Sequence, residues 1–100
     1  MVTLRMSPIV CSYSDESGEN LIIEIELPGV DKENISLRMR EDSFTIDASK
    51  EDIRYIGTYT MWCPVTPDQA KAEYRNGLLT IRVPYKEIPV EEAREVPIEA

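Results

Sequence analysis

The pair Asn76-Gly77 narrows the possible folds of this chain more than any other feature. Both residues accept positive φ, which the two central positions of a type I′ turn require, and that turn suits the twist of two antiparallel strands. Strand-compatible residues flank it, Ala72 to Arg75 before and Leu78 to Val83 after. A β-hairpin is predicted, and the rest of the chain has to be built around a sheet.

The same period of two recurs upstream. From Asn20 to Leu27, Leu21, Ile23, Ile25 and Leu27 share one face while Glu24 and Glu26 take the other, the pattern of a strand with one buried side. Pro28 and Gly29 end it, because proline has no ladder donor and glycine accepts turn angles. Ile35, Leu37 and Met39 alternate with polar residues, as do Phe44, Ile46 and Ala48, and Glu41-Asp42-Ser43 between them predicts a second hairpin. Ser12 to Asp15 is short and polar, as an edge strand would be. Thr58 to Val65 reads as a further strand ending at Pro64, preceded by a loop from Glu51 to Gly57. Thr66 and Pro67 predict a single helical turn, with Thr66 as N-cap. The expected architecture is all-β: seven or so short strands in an immunoglobulin-like, two-sheet antiparallel β-sandwich spanning residues 12–84. Residues 1–11 form a short N-terminal arm and residues 85–100 an extended tail; 100 residues suit one such core.

Composition excludes most chemistry. With 19 acidic and 11 basic residues the formal charge is −8, the wrong sign for nucleic-acid phosphates or an anionic membrane. No apolar run approaches the ~20 residues of a spanning helix, and MVTLRMSPIV lacks the apolar stretch of a secretion signal, so a cytoplasmic protein is expected. There is no histidine, which removes Ser-His-Asp and Cys-His arrangements. Cys11 and Cys63 are too few for a zinc site and read as small buried apolar side chains, with a Cys11–Cys63 bridge as the open alternative. Glu24 and Glu26 suit a solvated strand face better than an acid–base pair. The chain has neither a GxxxxGK[ST] nor a GxGxxG pattern, and its four glycines all fall at predicted turns. Asn34-Ile35-Ser36 matches a glycosylation acceptor by chance. No catalytic, metal, cofactor or nucleotide site is expected, so the chain is not read as an enzyme.

Two tail triplets call for a functional account, Ile88-Pro89-Val90 and Val96-Pro97-Ile98. In an extended segment each presents two branched apolar side chains to one side, as a peptide does when it plugs neighbouring pockets along a sheet edge. On pattern alone, a tail without a partner weighs equally.

Taken in order, IEIELPGVDKENISLRMREDSFTIDASKE followed by AEYRNGLLTIRVP resembles the α-crystallin domain of the small heat-shock protein family. Ala72, Asn76, Gly77, Leu78 and Leu79 match that family's A-x-x-x-n-G-h-L signature; Leu27, Pro28, Gly29, Ile35, Leu37, Phe44 and Ile46 match its earlier strand, turn and hairpin. The resemblance implies an ATP-independent holdase, a homo-oligomer built from dimers whose partners are partly unfolded client proteins. It also implies that Val96, Pro97 and Ile98 dock into a neighbour's groove lined by Leu37, Met39, Ala72 and Tyr74. Arg54, Tyr55, Ile56, Gly57 and Met61 are the implied dimer contacts, and Leu4, Met6, Ile9 and Val10 the apolar strip offered to clients. Three features depart from the family pattern: the arm is short, Glu51 to Gly57 is too short for an exchanged strand, and Met61 replaces a dimer-contact arginine. These departures are what a second reading would exploit, an adaptor for one folded partner, as in the related CS-domain co-chaperones.

Overall fold

The computed structural model describes residues 3–86 and 95–100. Eight strands form two four-stranded sheets. One sheet runs β1 (Leu4–Met6), β6 (Ile53–Thr60), β5 (Ser43–Lys50), β4 (Ile35–Met39); the other runs β2 (Ile9–Ser14), β3 (Asn20–Glu26), β8 (Leu78–Pro84), β7 (Lys71–Arg75). Two single 3-10 turns, Lys32–Asn34 and Pro67–Gln69, complete the regular structure. The second starts on Pro67 as expected, although Thr66 makes no side-chain cap hydrogen bond.

The two sheets bury their facing sides against each other. Ile23, Ile25 and Leu27 from the β3 segment, Phe44, Ile46 and Ala48 from β5, and Leu79, Ile81 and Val83 from β8 form the core, with Val65 closing one end. Alternation therefore puts the expected residues inside at β3 and β5, and Ile22 is buried as well on the opposite face of β3. The β7–β8 hairpin turns on Asn76 and Gly77 with φ of 50° and 79°, the two positive angles such a turn needs. Gly77 is also sterically favoured, since a Cβ there would lie 3.1 Å from the Pro28 Cα, a tight approach to backbone.

Several expectations need correction. The strand assigned to Thr58 to Val65 is Ile53–Thr60: there is no loop from Glu51 to Gly57, only a two-residue turn at Glu51 and Asp52 between the paired Lys50 and Ile53. Glu51 takes a positive φ of 44° to make that turn. Gly57 consequently lies inside a strand opposite Ile46, and the Tyr59 side chain occupies the space beside it, its hydroxyl oxygen 2.7 Å and its nearest ring carbon 2.8 Å from where a Cβ would stand. Residues 4–11 are not an arm ahead of the sandwich. Leu4–Met6 pairs parallel with β6, the one parallel ladder among the described residues, and Ile9 to Cys11 belong to edge strand β2. At the other end, Tyr85 still bridges Val65 and the Lys86 amide donates to the Pro64 carbonyl at 2.9 Å, so the sandwich extends just past Pro84.

Candidate functional site

The edge strands β4 and β7 leave core-facing positions uncovered. Ile35, Leu37 and Met39 pair with Ala48, Ile46 and Phe44 and so face inward, yet all three are only half-buried. On β7, Tyr74 and Ala72 pair with Leu79 and Ile81 and share their inward face; Tyr74 is half-buried and Ala72 is exposed. An alanine on the inner face of a sandwich is exposed only where nothing lies over it. The Tyr74 hydroxyl is 2.7 Å from the carbonyl oxygens of both Leu27 and Val30, which fastens β7 to the segment leading into β4. Leu37 and Met39 on β4 and Ala72 and Tyr74 on β7 thus lie on the inward faces of two edge strands and keep part of their apolar surface uncovered.

Val96 and Ile98 are 75% and 95% exposed, so both apolar side chains of that triplet are unburied within their own chain. Ile88-Pro89-Val90 lies outside the described residues.

The implied client strip divides. Leu4, Met6 and Ile9 are exposed, whereas Val10 faces the core and packs against it. Its core-facing neighbours on β2, Ser12 and Ser14, oppose Ile23 and Leu21 and supply little bulk. A half-open cavity of about 740 Å³ results, lined by Val10, Ser12, Leu21, Ile23, Phe44 and Tyr59 among others. Trp62 stands on its rim at 103% exposure.

Of the implied dimer contacts, Tyr55 is a core side chain. Arg54 is engaged within its own chain: Nε and one terminal nitrogen donate to the two Asp47 carboxylate oxygens at 3.0 and 2.7 Å, and this pair lowers the pKa of Asp47. Met61 packs against the core and lines the cavity. Pairing with β1 ends at Tyr55, so Ile56 and Gly57 begin a stretch of β6 edge with no strand beside it among the described residues.

Both cysteines are free and exposed, contrary to the burial expected of them. Cys11 alternates with Val10 and Ser12 and therefore points outward beside Glu24, and Cys63 follows Trp62 at a surface bend. At the β2–β3 turn, Asp15 accepts hydrogen bonds from Asn20 Nδ2, Ser17 Oγ and Arg82, each at 2.8 Å. These contacts, the Asn20 side-chain bond foremost, hold its pKa at about 2. Among the described residues no group of three Cys, Asp or Glu is placed to hold a metal ion, and no helix is long and apolar enough to cross a membrane.

Comparison with known proteins agrees with the fold. The sequence pattern described as the Hsp20/alpha crystallin family matches residues 13–99. A probable 15 kDa heat shock protein of Leptospira interrogans is 31% identical over a 93-residue alignment that covers 79% of this chain and 70% of that protein. Small heat shock protein C4 of Rickettsia felis is also 31% identical, over 82% of this chain and 59% of that longer protein. Among solved structures, heat shock protein 16.0 of Schizosaccharomyces pombe superposes with a TM-score of 0.69 at 22% identity, covering 94% of this chain and 99% of that one. A point mutant of hsp14.1 from Sulfolobus gives 0.74 at 24% identity, over 87% and 78%. With the sandwich, the Asn76-Gly77 hairpin and the match across residues 13–99, the chain belongs to the Hsp20/alpha crystallin family of small heat-shock proteins.

Proposed function

We propose that this chain is an ATP-independent holdase, a homo-oligomer built from dimers that covers exposed apolar surface on partly unfolded proteins. The observation that carries this reading is the incompletely covered inward side of the edge strands β4 and β7, where Leu37, Met39 and Tyr74 are only half-buried and Ala72 is exposed, read here as an open apolar strip. Val96 and Ile98, spaced to present both side chains to one side, are the occupants of that strip in a neighbouring subunit at rest. A client's extended apolar segment has the same chemistry and competes for the same place. Leu4, Met6 and Ile9 add exposed apolar surface. Covering such surface is worth ~25 cal/mol per Å², so capture needs no nucleotide cycle and no catalytic group.

The test is to heat an aggregation-prone protein with this chain and separate the products by size. The client should elute with the chain as a soluble high-mass species. A client that pellets while the chain elutes alone would overturn the proposal.

A further inference from the structure

The cavity under β2 lies at the opposite edges of the two sheets from the β4–β7 strip, and its cause is local. The core-facing positions of β2 carry Val10, Ser12 and Ser14 where a sandwich needs large side chains, so Leu21, Ile23, Phe44 and Tyr59 keep an unfilled apolar space of about 740 Å³. On the rim of that space stands Trp62, at 103% exposure the most solvated large apolar side chain among the described residues. Neither feature is explained within a single copy.

The charge distribution points to what meets this face. The chain carries −8 overall, which opposes contact between two copies over most of their surface. Residues 6–14 and 55–67 contain no Asp, Glu, Lys or Arg, and these two segments come together around the cavity. A second copy can approach here without stacking like charges. A knob and a hole side by side on one face are also what a two-fold pairing demands, because each copy then offers the other the same complementary pair. Two indoles of up to ~250 Å² each, with an equal area of receiving wall, reach ~1,000 Å², the threshold of a specific interface.

We propose that two copies of this chain pair through this face, with Trp62 of each seated in the cavity bounded by Ser12, Phe44 and Tyr59 of the other. The proposal rests on the reading that the chain self-associates, and it assigns the contact that joins two subunits independently of the tail. Ile56 and Gly57, on the unpartnered β6 edge, adjoin this contact.

The test uses the full chain carrying Val96→Gly and Ile98→Gly, so that any tail-mediated assembly is absent and only this pairing is read. Sedimentation across concentration should show a monomer–dimer equilibrium. Because Trp62 is the only tryptophan, its emission should move to shorter wavelength as the dimer forms. Trp62→Ala removes a side chain that packs on nothing in its own chain and should weaken dimerisation at least ~10-fold, as truncation of a buried aromatic anchor does. Ser12→Trp, which fills the hole, should weaken it comparably. Mixing the two variants should restore dimers, since the intact knob of one fits the empty hole of the other. An unchanged dissociation constant for Trp62→Ala, an emission spectrum independent of concentration, or a mixture no better than its components would each overturn the proposal. Soluble client complexes formed by Trp62→Ala would leave the holdase reading standing while this one is judged on mass alone.

Discussion

The hydroxyl of Tyr74 lies 2.7 Å from the carbonyl oxygen of Leu27, and equally close to that of Val30, so its one proton is shared between two acceptors on the segment after β3. The contact spans the joint between β7 and the strand exit at Pro28-Gly29, and it holds Tyr74 in place beside the proposed strip. Tyr74→Phe should lower stability by ~1 kcal/mol, the cost of losing the hydroxyl as donor to the Val30 carbonyl, since the Leu27 carbonyl still accepts from the Val30 amide. Denaturant unfolding checks this: a lower midpoint at unchanged m-value is expected, and an unchanged midpoint would show that the bond contributes nothing.

Gly77 and Gly18 share nearly the same backbone angle, φ of 79° and 75°, in different surroundings. A Cβ at Gly77 would stand 3.1 Å from the Pro28 Cα, a backbone atom, while one at Gly18 would meet nothing within 4 Å. Gly18→Ala should cost only the backbone strain, ~1 kcal/mol, and Gly77→Ala distinctly more. Paired thermal melts of the two variants give the comparison, and equal losses would contradict the steric role assigned to Pro28.

Asp15 supplies an acid-sensitive clamp. Its folded pKa, held at about 2 by Asn20 and Ser17 with help from Arg82, lies below its unfolded value of ~3.9. The stabilisation is therefore complete above the unfolded pKa and is lost as pH falls toward the folded one. Asp15→Asn should flatten the pH dependence of the thermal midpoint between pH 4 and pH 2. A wild-type slope in that variant would assign the dependence to other carboxylates.

The tail carries its own prediction. Val96 and Ile98 are exposed in the chain that bears them, so replacing both with glycine removes nothing from its own core. The double variant should keep the wild-type melting temperature while the assembly mass measured by light scattering falls. A wild-type mass would remove the tail from the account of assembly.

Much of the fold was legible because the decisive signals are local. Alternation in Asn20 to Leu27 assigns the inner face of β3, and two adjacent positive-φ residues make the Asn76-Gly77 turn. Parity also placed Leu37 and Met39 on the inward side of β4. The misreadings depend on relations between distant residues. Gly57 reads as a turn because glycine usually marks one, but the Tyr59 side chain lies over its missing side chain and the strand runs through it from Ile53. The parallel strand Leu4–Met6 has three exposed residues and no buried face, so only its pairing with Ile53–Tyr55 reveals it. Cys11 reads as an interior residue because thiols are usually buried, whereas its position between inward-facing Val10 and Ser12 turns it to solvent. The cavity could not be foreseen, since it arises where Ser12 and Phe44, from different sheets, fail to fill the space between them.

The most direct test of the holdase account is turbidity. Several unrelated proteins would be heated singly with this chain at about one subunit per client and without nucleotide, and light scattering followed with time. The account predicts suppression for most of them, deepening as subunits are added and unaffected by ATP. Suppression of none, or of a single protein, would contradict it.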